Sequence, residues 1–239
     1  TQTASQQIEP SWSYNGAKIA YASNAAQTPS ATTWEIWTMN ADGTGQTKLT
    51  TQSPLWAIAP AYSPIDNDIV FVSGREANGT AATGGSAILK RTATGTLSTL
   101  YDGLGRDGDA GGADIATALG LNLPSGAGIS KPAWSPDGSK IAFSTERTAG
   151  GIIDIYVMDS DGTNAETLED YVNGLLASPV TAGTITSSDD EFCPYWLEDG
   201  SGMAFVRKDG TNSFNLYFVS FADGSVTKLT TTGDNLSPA

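Results

Sequence analysis

Histidine is absent from the 239 residues. That removes Ser-His-Asp and Cys-His nucleophilic sites, His-ligated zinc and histidine acid/base chemistry together. The one cysteine, Cys193, allows no intrachain disulfide. Its apolar setting, Phe192-Cys193-Pro194-Tyr195-Trp196, predicts a small buried hydrophobe. No apolar run approaches the roughly 18 residues that a membrane helix requires, so no spanning segment is expected. Basic residues are scarce: 12 Lys and Arg stand against 26 Asp and Glu, for a formal net charge of −14. Such a surface repels phosphate backbones and argues against a nucleic-acid partner. Gly-x-Ser-x-Gly elbows, phosphate loops and Cys pairs are missing too. Thr1-Gln2-Thr3 is neither an initiator methionine nor a signal peptide, which suits a processed exported protein or an excised piece. Little Lys, much Thr, Ser and Gly, and the acidic balance point to an exported protein, periplasmic or extracellular, or to a salt-adapted one.

What is present is a repeat. Pro-x-aromatic occurs at Pro10-Ser11-Trp12, Pro60-Ala61-Tyr62, Pro132-Ala133-Trp134 and Pro194-Tyr195-Trp196. Each is followed by a turn and an apolar run. These are Asn15-Gly16 with Ile19-Ala20-Tyr21, Asp66-Asn67 with Ile69-Val70-Phe71, Asp137-Gly138 with Ile141-Ala142-Phe143, and Asp199-Gly200 with Met203-Ala204-Phe205. A third run and a second turn follow, at Asp42-Gly43, Thr94-Gly95, Asp161-Gly162 or Asp223-Gly224, before a last short run closes the unit. Asp-Gly and Asn-Gly between apolar runs signal hairpins with primed turns, whose positive φ those residues tolerate. Each unit therefore reads as four antiparallel strands, a to d, and nearly continuous apolar runs predict sheets covered on both faces. The reading is all-β, a β-propeller built from four-stranded antiparallel blades. The blades fall at 8–51, 58–102, 129–170 and 191–232 of a single domain, 1–239, with 233–239 starting a fifth innermost strand; the readings are part of a longer propeller, a closed ring of four blades, or a half-ring completed by another chain. A helical turn is expected only within 103–128.

The run from Pro132 to Ser144, followed by Ile155-Tyr156-Val157-Met158-Asp159-Ser160-Asp161-Gly162-Thr163, resembles the TolB-type (WD-like) propeller repeat. Blade 1 matches through Trp12-Ser13 and Trp37-Thr38-Met39-Asn40-Ala41-Asp42-Gly43-Thr44, and blade 4 is a fair match. Blade 2 departs, with Tyr62 as its aromatic and no Asp-Gly at its second turn. The resemblance covers residues 8–239. It implies the fold and says little of function, because this repeat serves unrelated roles.

In a meander the a–b and c–d turns share one face of the disc, and the b–c and d–a connections share the other. Every long insertion belongs to the second class, which makes that face the expected binding surface. Its acidic loop offers Asp107, Asp109 and Asp114 as oxygen ligands for Ca²⁺. It is not an EF-hand, since position 12 counted from Asp107 is Ala118. Further candidates at this face are Arg75, Glu76, Glu146, Arg147, Asp189, Asp190, Glu191 and Arg207. Arg/acid pairs there either bind a partner's charged groups or lace neighbouring blades. Trp12, Trp134 and Trp196 occupy a common repeat position and are expected in the core. Trp34 and Trp56 lie outside the consensus and are the candidates for exposed contact.

These features point to a non-enzymatic binding or assembly module that contacts a protein or a cell-surface polymer. Open blade ends offer a route to self-association, so a structural subunit of an extracellular array or filament is the alternative. A glycan lyase or hydrolase is a weaker one, because some propellers of similar repeat type resemble such enzymes while the ligands expected of those lyases are missing with histidine.

Overall fold

The computed structural model describes residues 6–24, 34–51, 56–74, 76–81, 86–104, 131–146, 152–181, 184–185, 188–209 and 213–231. The 103–128 insertion beyond Leu104 and the 233–239 segment lie outside this set. The strands form four four-stranded antiparallel sheets, each paired in sequence order. Blade 1 is β1 (Gln7–Trp12), β2 (Lys18–Ser23), β3 (Glu35–Asn40) and β4 (Thr47–Lys48). Blade 2 is β5 (Ala57–Tyr62), β6 (Ile69–Ser73), β7 (Ser86–Arg91) and β8 (Leu97–Leu104). Blade 3 is β9 (Ala133–Trp134), β10 (Lys140–Glu146), β11 (Ile153–Asp159) and β12 (Glu166–Thr167), and blade 4 is β13 (Glu191–Trp196), β14 (Gly202–Lys208), β15 (Phe214–Ser220) and β16 (Val226–Lys228). The chain divides into two compact units, the first holding blades 1 and 2 and the second blades 3 and 4.

Turn chemistry explains the hairpins, with one difference from expectation. The glycine alone takes positive φ, as in Gly43 (85°), Gly138 (70°), Gly162 (90°), Gly200 (70°) and Gly224 (70°), and the Asp before it does not. The amide of Gly43 donates to the carbonyl of Asn40, three residues back, at 2.9 Å. The turns at Gly43, Gly138, Gly162 and Gly200 are type I turns closed by a left-handed glycine, not primed turns, while Gly224 donates four residues back, to the Ser220 carbonyl at 2.9 Å. The Asp side chain instead accepts from the residue after the glycine. Asp42 Oδ1 takes the Thr44 amide at 2.9 Å and its hydroxyl at 2.7 Å. Asp161 holds Thr163 and Asp223 holds Ser225 in the same way.

In the first unit, blade 2 packs through β5 on the small-residue face of blade 1, where Ala20 and Ala22 are fully buried. Hydrogen bonds cross this seam among the described residues. Glu9 Oε2 accepts from the Ala59 amide at 2.8 Å, Ser11 Oγ from the Tyr62 amide at 3.0 Å, and the Trp34 carbonyl from the Ala57 amide at 2.8 Å. Trp34 and Trp56 therefore are not exposed contacts. They are 2% and 5% accessible, because the chain entering β3 and β5 is folded into the seam.

The second unit packs β13 against β10 and β11. A helix fills the top of this seam: α1 (Leu168–Leu175) lies outside 103–128, the one stretch where a helical turn was expected. Thr167 caps it, its hydroxyl accepting from the Asp170 amide at 3.1 Å, and Leu168 and Val172, four apart, enter the core. The repeat aromatics divide by order within each unit. Tyr62 and Trp196 sit on second blades and are buried, Trp196 to 6%. Trp12 and Trp134 sit on first blades, with no preceding blade in their own unit. Trp12 is 57% exposed and Trp134 half-buried, so neither is the core residue its repeat position suggests.

Candidate functional site

On the long-loop face, Asp107, Asp109, Asp114, Arg75 and Arg147 lie outside the described residues. Glu146 ends β10, in register with Ile153. Glu76 works within its own turn, accepting from Asn78 Nδ2 at 3.3 Å and Thr80 Oγ1 at 3.4 Å. Asp190 spans a seam: its Oδ1 accepts from the Ile153 amide at 3.1 Å, tying the entry of blade 4 to blade 3. Asp189, beside it, is half-buried. Glu191 and Arg207 are brought together as direct cross-strand partners. Arg207 Nη2 stands 2.7 Å from Glu191 Oε1, with both side chains buried. The same nitrogen donates to the Ile185 carbonyl at 2.6 Å, and the guanidinium lies 4.6 Å from the Tyr217 ring centroid. A buried pair with this many bonds organises its neighbours and is closed to an incoming charge. Among the described residues, no group of three or more Asp, Glu or Cys is placed to hold a metal ion.

The tight-turn face of the second unit carries a groove of about 270 Å³ between blades 3 and 4. Its floor is Trp196 and its walls are the two a–b turns (Ser135, Pro136, Asp137, Ser139 and Lys140; Glu198, Asp199 and Gly200) and Tyr171 of α1. The aromatic side is rigid. Tyr171, Trp196 and Phe221 meet edge-to-face in all three pairings, with centroids 5.6–5.8 Å apart, and Trp196 Nε1 donates to the Ala133 carbonyl at 3.1 Å. The acidic side is fixed by its turns. Asp137 Oδ1 accepts from Ser135 Oγ at 2.6 Å and from the Ser139 amide at 3.0 Å, and Asp199 Oδ1 accepts from the Ser201 amide at 2.9 Å. The Ser135 hydroxyl holds the Asp137 carboxyl below its ordinary pKa, and Ser201 does the same for Asp199. Lys140 is engaged already, 2.6 Å from Asp159 and 5.8 Å from the Tyr171 ring centre. The groove thus offers fixed negative charge beside an aromatic wall. Sequence reasoning missed it by weighing loop length. Its signal was the Ser after each Asp-Gly, at Ser139 and Ser201.

The first unit has an apolar counterpart. The side of blade 1 turned away from blade 2 forms a groove of about 570 Å³ lined by Ile8, Pro10, Ile19, Tyr21, Trp37 and Met39, with Gln7, Ser23 and Gln46 as its polar members.

No protein-family model matches the sequence, and no curated protein does. Solved structures do match. TolB from Acinetobacter baumannii aligns with a TM-score of 0.62 at 17% identity, over 95% of this chain and 44% of its own. A putative TolB from Agrobacterium tumefaciens gives 0.61 at 15%, over 93% and 64%. The GH74 enzyme of Niastella koreensis gives 0.59 at 14%, over 96% and 30%. The chain spans less than two thirds of the length of each. At such identities the likeness concerns the backbone, and it agrees with the repeat at Pro10, Pro60, Pro132 and Pro194. The chain has the TolB-like β-propeller fold.

Proposed function

We propose that this chain is a non-enzymatic binding module, exported to the periplasm or cell exterior, that takes a cationic segment of a protein partner into the groove between blades 3 and 4. The observation that carries the reading is the pairing of turn-held carboxylates, Asp137 and Asp199, with the aromatic wall of Tyr171 and Trp196. A lysine or arginine entering there gains charge pairing and a ring face at once. The formal net charge of −14 would draw such a segment in from a distance. The long-loop face is a second proposed contact surface of the same module, and its acidic loop with Asp107, Asp109 and Asp114 is a Ca²⁺ proposal testable by chelation. Calorimetric titration with an oligolysine peptide tests the groove. Binding should weaken with salt and fall in a Glu198→Gln/Asp199→Asn double variant. Equal binding by variant and parent overturns the groove assignment.

One observation favours a second reading, assembly through an open blade. Trp12 stands 57% exposed beside the apolar groove of blade 1, and soluble proteins normally cover such a face. Sedimentation over a range of concentrations tests it. A monomer at all concentrations removes self-association.

A further inference from the structure

Taking blade 1 as the site of assembly, a step that rests on the second reading above, we infer that its outer face joins two copies of this chain in a closed pair, each copy's Trp12 seated in the other's apolar groove. By repeat position this is a core face. Tyr21 and Trp37 pair across β2 and β3 as Phe205 and Tyr217 pair across β14 and β15, and Ile19 pairs with Met39 as Met203 does with Val219. In blade 4, Met203, Phe205 and Val219 lie in the core shared with blade 3, with Tyr217 packed on it. Blade 1 has no blade before it in its unit, so the same positions line an open groove of about 570 Å³. Trp12 is the cross-strand partner of Ile19, on the same face, and is exposed. A knob and a hole thus stand side by side. Such a surface complements itself about a two-fold axis, the knob of each copy meeting the hole of the other.

Charge and size select the partner. With a formal net charge of −14, two copies repel wherever their charged surfaces meet. None of the described residues lining this groove is charged. Two of its polar members answer each other, Gln7 Nε2 donating to Ser23 Oγ at 3.4 Å. The groove therefore suits an apolar knob rather than a cationic or polar ligand. Blade 4 of a second copy does not fit there. The blades that receive another carry a small residue on the innermost strand, Ser11 opposite Ala20 and Ala133 opposite Ala142. Ser11 Oγ takes the Tyr62 amide of the arriving blade, and the Ala133 carbonyl takes the Trp196 indole. At that position, opposite Ala204, blade 4 carries an exposed Tyr195. Its ring would hold an arriving strand off. This opposes head-to-tail stacking and leaves the closed pair. Nine lining residues and Trp12 make ten a side, against roughly 20–30 in a standard interface, so the pair is weak and reversible.

Sedimentation equilibrium of the whole chain, with protein and salt concentration varied, tests the pair. A monomer–dimer equilibrium with nothing larger is expected. Added salt should tighten it, because the repulsion between copies is screened while the apolar contact is not. Trp12→Ala, at an exposed position whose loss leaves the blades folded, should weaken it about a hundredfold, tenfold for each of the two rings lost per dimer. Gln46→Glu, at the groove's edge, should weaken it as well, and Tyr195→Ala should leave it unchanged. A monomer at all concentrations removes assembly and the pair with it. Larger oligomers, association that salt weakens, a Trp12→Ala variant that dimerises like the parent, or a response to Tyr195→Ala overturn the blade 1 pair and leave assembly standing.

Discussion

Truncating the three repeat tryptophans one at a time should give three different costs, although the sequence treats the positions as equivalent. Trp196 is 6% exposed, meets two rings edge-on and donates its indole N–H to Ala133. A buried tryptophan removes about 200 Å² from water, which at about 25 cal/mol per Å² gives a ceiling near 5 kcal/mol. Measured truncations of this kind cost about 3–5 kcal/mol, and the indole's hydrogen bond to the Ala133 carbonyl goes with the ring, so about 4 kcal/mol is expected for Trp196→Ala. Trp12 keeps 57% of its surface in water and should cost about 1 kcal/mol or less. Trp134, half-buried, should fall between them. Urea unfolding followed by far-ultraviolet circular dichroism reads all three, with m-values compared to keep the unfolded reference constant. A Trp12→Ala variant as damaged as Trp196→Ala would refute the reasoning, since burial by a preceding blade would then not set the cost.

Three further outcomes follow from single contacts. Gly202→Ala should destabilise blade 4 by about 1–3 kcal/mol in the same assay, because its Cβ would sit 2.4 Å from the Val219 carbonyl and the Phe218 ring. Thr167→Ala should cost about 1 kcal/mol through loss of the α1 cap, measured as a fall in denaturation midpoint. Asp209 is raised in pKa by partial burial, but hydrogen bonds from Lys228, Tyr217 and Asn215 outweigh this and bring it to about 2. Its folded value lies below the unfolded one, so its stabilisation is present above about pH 4 and is lost as pH falls towards 2. Asp209→Asn should flatten that part of the stability–pH curve, and an unchanged acid limb counts against the network.

The repeat made the blades legible, because apolar runs, turn glycines and spacing all act locally. It left hidden what neighbouring elements decide. Trp34 reads as an outlier in sequence, yet its carbonyl anchors β5 across the seam. α1 was legible in principle from Thr167-x-x-Asp170 with Leu168 and Val172, but its apolar positions also suit a fourth strand. Only the seam between blades 3 and 4 selects the helix. The recurrent proline shows most plainly how a legible pattern can carry an unread cause. In β1, β5 and β13 the residue before it adopts a left-handed backbone: Glu9 at φ 54°, Ala59 at 52° and Cys193 at 51°. Each ladder shifts register there, between Ile8 and Ser11, Ile58 and Ala61, and Phe192 and Tyr195. The proline sits in a bulge, where its missing N–H breaks no ladder bond. The bulge in turn leaves the Ala59 amide outside the ladder, where the carboxylate of Glu9 on the preceding blade receives it. A left-handed, non-glycine residue costs of order 1 kcal/mol or more, and that cost persists only where neighbouring contacts hold it. The Pro-x-aromatic motif is therefore a docking element. It bends the innermost strand, frees an amide for the blade before it, and sets the following aromatic against that blade. This is why Tyr62 and Trp196 are buried, whereas Trp12, with the same local sequence and the same bulge, is not.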